Sequence, residues 1–475
     1  MSGVGMSANN SRLVKLLIIL GIAVIFWFVP VPEGVSPAAW HLLAIFIATV
    51  IGLILSPYPL GAIAIFSITA VAALGLLPVK DVLVGFGDPT IWMIACAFFI
   101  SRSFIKTGFG RRIGFLFISK LGNSSLGLAY GLVFTDLLFS PAMPSTSARC
   151  GGIITPLFRS IAEAYGSTPE QGTQRRIGSF LVQTIFQCNA ITSAMFMTSM
   201  AGNPLISKLA TQFGVHLTWT EWAAATLVPG LLSLIVIPLV LYRFYPPELK
   251  KTPEMRELAK VRLHEMGPMS RNEWIVLCVF LGLVVFWVLG STLNIDATLT
   301  ALGGLSVLLL TRALSWEDVT GEKEAWHTVV WFAVLMMLAT QLNKMGLIAW
   351  LGGIAGHAVA GMHWLPMVGL LLLVYYYSHY FMASAVAHIS AMYAIFVSIA
   401  IAAGAPPVLT VLAFAAFSNL FMATTHYSGG PAPIMFGCGY LSLGTWWKIG
   451  FLVGLVVIPI WLGIGSLWWK VLGMW

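Results

Sequence analysis

Pro144-Ser145-Thr146-Ser147-Ala148-Arg149-Cys150-Gly151-Gly152-Ile153-Ile154-Thr155-Pro156 is a small polar turn that carries an arginine between two strongly apolar runs. A second version recurs 239 positions later as Ser384-Ala385-Val386-Ala387-His388. A cationic side chain on a polar turn inside hydrocarbon is expensive, so it marks either a functional site or a fixed partner. The surroundings are hydrocarbon-like: of 475 residues, 59% are hydrophobic and 9% charged. Repeated apolar runs of transmembrane length give that composition, and an all-α polytopic membrane protein satisfies its backbone within each span. The net charge of +8 then belongs to loop placement and not to nucleic-acid binding. The five cysteines lie in or beside apolar segments without metal-ligand spacing, so no metal and no cofactor is expected.

The runs that flank the opening turn, Ser125–Phe139 and Gly152–Ala164, are too short to cross comfortably at ~1.5 Å per residue. They read as a re-entrant hairpin with its tip at 144–150, tolerable where protein or water covers the tip. Leu365–Tyr377 and Ile389–Ala402 flank the second tip at 383–388 in the same way. Two crossing helices are interrupted, at 198–204 by Asn203-Pro204 and at 424–431 by Ser428-Gly429-Gly430-Pro431. Proline removes a backbone donor and disfavours helix in the residue before it.

The halves share an order of landmarks. Trp92 to Lys106-x-Gly108 matches Trp331 to Lys344-x-Gly346, Ser145-x-x-Ala148-Arg149 matches Ser384-x-x-Ala387-His388, and Val236-Ile237-Pro238 matches Val457-Ile458-Pro459. The organisation expected is an N-terminal helix (1–37), a first repeat (38–243), a cytoplasmic linker (244–272) and a second repeat (273–475). Arg111–Leu121, amphipathic and basic, suits an interfacial helix with its basic residues toward headgroups, and Leu347–Val359 resembles its counterpart. About 11 helices cross, with the N-terminus cytoplasmic and the C-terminus outside. In that orientation all but six of the 25 Lys/Arg fall on the cytoplasmic side. The exceptions are Lys80, Lys208, Lys344 and Lys470 outside, and Arg102 and Arg149 within the membrane. Matching elements then have opposite orientation, which is the inverted-repeat transporter plan, with both tips near the midplane.

Four polar discontinuities converge in that plan. Hydroxyls, freed N–H groups and helix N-termini there suit a small anion, and several donors suit a dicarboxylate. The candidate substrate-binding residues are Ser145, Thr146, Ser147, Arg149, Thr198, Ser199, Asn203, Ser384, His388, Thr424, Thr425 and His426. Arg149 offers a planar fork matched to a carboxylate; its alternative is a structural pair with Asp136. The histidines and break residues have their own alternative, which is to satisfy freed backbone or a neighbouring helix.

At these residues the sequence resembles the divalent anion/sodium symporter family. It is most similar to the branch of bacterial citrate/succinate and tartrate/succinate antiporters and plastid 2-oxoglutarate/malate translocators. The blocks that carry the resemblance are Pro144 to Pro156, Met195 to Pro204, Ala383 to Tyr393 and Thr425 to Tyr440. It implies a homodimer in which a transport domain of hairpins and broken helices moves against a scaffold, elevator-fashion, with substrate carboxylates at the two tips. The family's Ser-Asn-Thr tip motif is replaced here by Ser145-Thr146-Ser147 and Ser384-Ala385-Val386. Fixed cations beside the tips, Arg149 and His388, resemble the exchanger members and stand where sodium would act. The expected function is exchange of di- or tricarboxylates (malate, succinate, 2-oxoglutarate, tartrate or citrate class) in a bacterial inner membrane, without sodium. A sodium-coupled symporter is the alternative within transporters. An intramembrane hydrolase built on His388 or His426 with Asp136 lacks HExxH, Gly-x-Ser-x-Gly and a second deep acid. Besides carboxylates the expected partners are membrane lipids and a second copy, not nucleic acid.

Overall fold

The computed structural model describes residues 2–347, 350, 351, 353, 354, 361 and 363–475, with side chains from residue 11 onward. Among them the chain is helical, without strands; the only β-pairing is an isolated antiparallel bridge between Ser124 and Lys251. Helices start where short polar residues interrupt apolar runs. Ser36 caps Pro37–Leu55, Asp88 caps Pro89–Lys106, and the capping boxes Thr218/Glu221 and Ser270/Glu273 start Trp219–Phe244 and Arg271–Leu293.

Among the described residues, eight helices are long and apolar enough to cross a membrane, or up to nine if the bent pair Pro89–Lys106 and Phe109–Leu121 counts as one span. Leu60–Ala73, Ala297–Leu310 and Pro407–Ala423 are shorter apolar helices. This is a multi-pass membrane protein. Leu, Val and Phe side chains left exposed on these helices, such as Phe66, Leu231, Val285 and Leu302, form a lipid-facing surface that water would penalise.

The two hairpins share one order of local structure. Ser125–Phe139 runs into a 3-10 turn (Ser140–Ala142), an extended Met143, and a π-helical stretch (Ala148–Ile154) that leads into Thr155–Ala164. Trp364–Ser378 runs into a 3-10 turn (His379–Phe381), an extended Met382, then Ala385–His388, a π-helical Ile389–Tyr393 and Ala394–Ala402. The arms are longer than the sequence suggested. With these irregular turns included, Ser125–Ala142 and Ala385–Ala402 each reach 18 residues, because 3-10 and π geometry continues the helical path past the residues where α-helix stops.

The broken helices are Gly178–Met195 followed by Gly202–Ala210, and Pro407–Leu420 followed by Pro431–Phe436. Every residue of Gly178–Met195 is buried. The two breaks are joined directly: Asn419 Nδ2 donates to Asn203 Oδ1 at 2.8 Å in the buried core.

One expectation needs correcting. Phe109–Leu121 does turn away, bent by 63° from Pro89–Lys106, at Gly108, whose φ of +78° suits a residue without a Cβ. Its Arg112, however, is buried, not directed at headgroups: it binds Glu273 through Nε (2.6 Å) and Nη2 (3.2 Å) and caps the carbonyl of Gly267 at 2.8 Å. The linker forms a helix, Pro253–Glu265, packed on Phe109–Leu121, where Arg256 Nε donates to Ser119 O at 3.0 Å. The counterpart expected at Leu347–Val359 lies largely outside the described residues.

Candidate functional site

A cavity of about 490 Å³ opens between the two hairpin tips, the two helix breaks and the first turns of Lys323–Lys344. Four of the expected residues line it: Ser145, Thr146 and Ser147 from the first tip, and Ser384 from the second. Both tips are built alike. Ser145 Oγ accepts from the Ala148 N–H at 3.0 Å and its carbonyl accepts from the Arg149 N–H. Ser384 Oγ accepts from the Ala387 N–H at 3.3 Å and its carbonyl accepts from the His388 N–H. Each serine is thus an N-cap, and the N–H groups between it and its bonded partners (Thr146 and Ser147; Ala385 and Val386) are left over at a helix start. A helix N-terminus with free donors attracts an anion, and here two of them face one cavity. Met200 and Ala201, just before Gly202–Ala210, and Gly429 and Gly430, just before Pro431–Phe436, complete the wall.

The other eight lie behind that wall. Arg149 is 1% exposed and every nitrogen is committed: Nε to Asp136 Oδ1 (3.0 Å), Nη1 to the carbonyls of Met143 and Ser199 (both 2.5 Å), Nη2 to Ser193 Oγ (2.9 Å). Asp136 also accepts from Asn189 Nδ2, at 3.1 Å and 3.0 Å to its two oxygens, and from Thr192 Oγ1. The pair is therefore the structural one, hydrogen-bonded on all sides as a buried ion pair requires. Its guanidinium ties the first tip to the first break, and its fork does not open on the cavity. Asn203 donates to the carbonyls of Ser193 (2.8 Å) and Phe196 (2.9 Å). Thr198 donates to the Pro141 carbonyl and accepts from Trp219 Nε1. Ser199 bonds the Phe196 carbonyl, Thr424 bonds the Phe421 carbonyl, and the Thr425 N–H bonds Ser428 Oγ. His426 accepts from Trp447 Nε1 at 3.2 Å. Asn203, Thr198, Ser199 and Thr424 thus satisfy backbone carbonyls at or beside the breaks, whereas His426 bonds an indole and the Thr425 hydroxyl has no partner among the described residues.

His388 is also turned inward. Its Nδ1 lies 2.9 Å from His379 Nδ1, both rings stack on Phe421, and His379 Nε2 donates to the Ser428 carbonyl at 2.6 Å. The second tip is thus joined to the second break through an imidazole pair, as Arg149 joins the first.

The wall that sequence reasoning missed belongs to Lys323–Lys344. It contributes Glu324, His327, Thr328 and Trp331, and Glu324 Oε2 accepts from Ser145 Oγ at 2.9 Å. The apolar run begins at Val329, but the helix starts six residues earlier, and those turns bring the polar groups in. A larger groove of about 820 Å³ lies between Arg271–Leu293 and Ala297–Leu310. Its walls are Val, Leu, Ile and Phe with few polar groups, so it lacks the convergent donors an anion needs. Among the described residues no group of three or more His, Cys, Asp or Glu is arranged to hold a metal ion.

Residues 10–475 match the model of the sodium:sulfate symporter transmembrane region. The chain is 54% identical over 465 residues to the Bacillus subtilis (strain 168) protein YflS, named provisionally as a malate transporter, covering 98% of this chain and 97% of that one. It is 48% identical to the chloroplast dicarboxylate transporter 1 of Spinacia oleracea, covering 95% and 80%. It is 36% identical to the inner membrane protein YbhI of Escherichia coli (strain K12), covering 98% and 99%. The crystal structure of the Alcanivorax borkumensis YdaH transporter shares the fold, with a TM-score of 0.56 at 12% identity over 98% of each chain. With the hairpins, the breaks and a match along nearly its whole length, the chain belongs to the divalent anion/sodium symporter family, alongside the members named for dicarboxylates.

Proposed function

We propose that the protein exchanges dicarboxylates across a bacterial inner membrane, independently of sodium, with one substrate carboxylate at each hairpin tip. The observation that carries this reading is the pair of serine-capped helix starts, Ser145 and Ser384, facing one cavity of about 490 Å³. Each offers a hydroxyl, two free N–H groups and a partial positive charge to an oxyanion.

Sodium independence is supported by what fills the space behind the tips. The carbonyls of Met143 and Ser199 are oxygen ligands of the kind a bound cation takes, and Arg149 Nη1 occupies both. At the second tip His379 Nε2 occupies the Ser428 carbonyl, with His388 against it. Fixed side chains stand in for mobile ions, and they cannot leave with the substrate. Because Asp136 travels with Arg149, the charge of that arginine alone does not hold back an empty carrier. The free N–H groups at both tips do: unpaired in a low-dielectric barrier they cost several kcal/mol together, and paired with carboxylates they do not. Return is then fast only when the site is loaded, which is exchange.

The reading extends to an elevator motion of hairpins and broken helices against the remaining helices, in a homodimer with the N-terminus cytoplasmic and the C-terminus outside. Its test is labelled-malate uptake into proteoliposomes. Uptake should require internal dicarboxylate and ignore a sodium gradient; sodium-driven uptake into empty vesicles would establish the symporter instead.

A further inference from the structure

An acid on the wall of an anion site calls for a reason. Glu324 stands on the first turn of Lys323–Lys344, exposed to the cavity, and takes the hydrogen bond of Ser145 Oγ. It is in none of the ion pairs that the described residues form. No lysine or arginine among the described residues lines the cavity, and the one ionisable neighbour there is His327, one turn along the same helix. The positive potential at the lining therefore comes from the two tips, and the wall between them carries a carboxylate without an ion-pair partner, with a second acid, Glu322, beside it.

We propose that Glu324 sets the charge class of the substrate: its carboxylate competes for Ser145 and admits dicarboxylates while excluding tricarboxylates. This rests on the dicarboxylate reading of the site. A dicarboxylate uses both tips, and its first carboxylate displaces Glu324 from Ser145. A tricarboxylate has used both tips before its third carboxylate is placed, and that group must then lie in the remaining wall beside Glu324, without a cation to receive it. Two like charges at contact distance repel by roughly five-fold in affinity even with bulk-water screening, and by more in a partly dry cavity.

The experiment compares wild type with Glu324→Gln, which keeps an oxygen acceptor for Ser145 and removes only the charge, and with Glu324→Ala. Labelled-malate exchange in proteoliposomes is competed with succinate and with citrate at one pH, and thermal stabilisation of the purified proteins by the same two anions supplies a readout independent of transport. Wild type should prefer succinate, and the ratio of citrate to succinate concentrations needed for half-inhibition should fall roughly five-fold or more in both variants. An unchanged ratio in variants that still exchange malate overturns the role of Glu324. Absence of both malate exchange and succinate stabilisation in wild type overturns the dicarboxylate reading itself.

Discussion

Arg149 is a buried charge whose fork is held by Asp136 and backbone carbonyls and does not line the cavity. Its guanidinium and the Asp136 carboxylate are both almost wholly buried and share a continuous hydrogen-bond set with Asn189, Thr192 and Ser193. Removing one partner of such a pair strands the other charge, a cost of about 3–5 kcal/mol. Arg149→Ala should therefore lower the thermal unfolding temperature in detergent strongly, and Arg149→Met with Asp136→Leu should recover much of the loss. An Arg149→Ala protein as stable as wild type would contradict the structural pairing. The tip serines behave differently. Ser384→Ala removes an N-cap worth about 1 kcal/mol, but its hydroxyl also faces the cavity. The KM for malate exchange should rise several-fold with a small change in unfolding temperature. A change confined to stability would place Ser384 outside the binding site.

At the scale of elements, close backbone contact holds the breaks in place. A Cβ on Gly450, in Leu443–Pro459, would lie 2.4 Å from the Thr424 carbonyl oxygen and 2.9 Å from that of Ala423. Backbone cannot rotate away as a side chain can. Gly450→Ala should cost about 1–3 kcal/mol by overpacking, visible as a lowered unfolding temperature, and it should reduce exchange by shifting the second break. Asp318 supplies a pH signature outside the membrane. Burial pushes its carboxyl up, but the hydrogen bonds from Lys106 and Ser315 outweigh that and hold it below the ordinary carboxylate value of 3.8. A depressed carboxyl contributes stability above its unfolded-state pKa and loses it as pH falls through the folded value. Asp318→Asn should therefore destabilise by about 1 kcal/mol at neutral pH, most of it because the Ser315 N–H then meets a neutral acceptor in place of a charged one, Lys106 being 40% exposed and screened. Thermal unfolding from pH 7 down to pH 3 should show the difference from wild type shrinking, and a constant difference would contradict the assignment.

Hairpins, breaks and the bend at Gly108 were legible because polar, Pro and Gly residues interrupt apolar runs at fixed places, and free backbone must be satisfied there. The direction of Arg149 was not legible. A planar fork on a tip can point to substrate or to Asp136, and only the packing of Gly178–Met195 behind the tip, with Asn189, Thr192 and Ser193 on one face, decides it. Glu324 and His327 were missed for another reason. They precede the apolar run, and it takes the start of the helix at Lys323 to bring them to the cavity.

For the whole molecule, the same construction occurs twice. A hairpin of α-helix, 3-10 turn, extended residue, serine cap and π-helical stretch faces its copy across a cavity. Each tip is joined to its neighbouring break by a fixed nitrogen donor, from Arg149 in one half and His379 in the other. That arrangement supports the proposed ligand with an anionic group at each end. The most direct test is a structure of the full-length protein with malate bound. One carboxylate should lie within ~3 Å of Ser145 Oγ or the Thr146 and Ser147 N–H groups, and the other equally close to Ser384 Oγ or the Ala385 and Val386 N–H groups. Malate bound away from both tips, or held through Arg149 with its bond to Asp136 broken, would contradict the account.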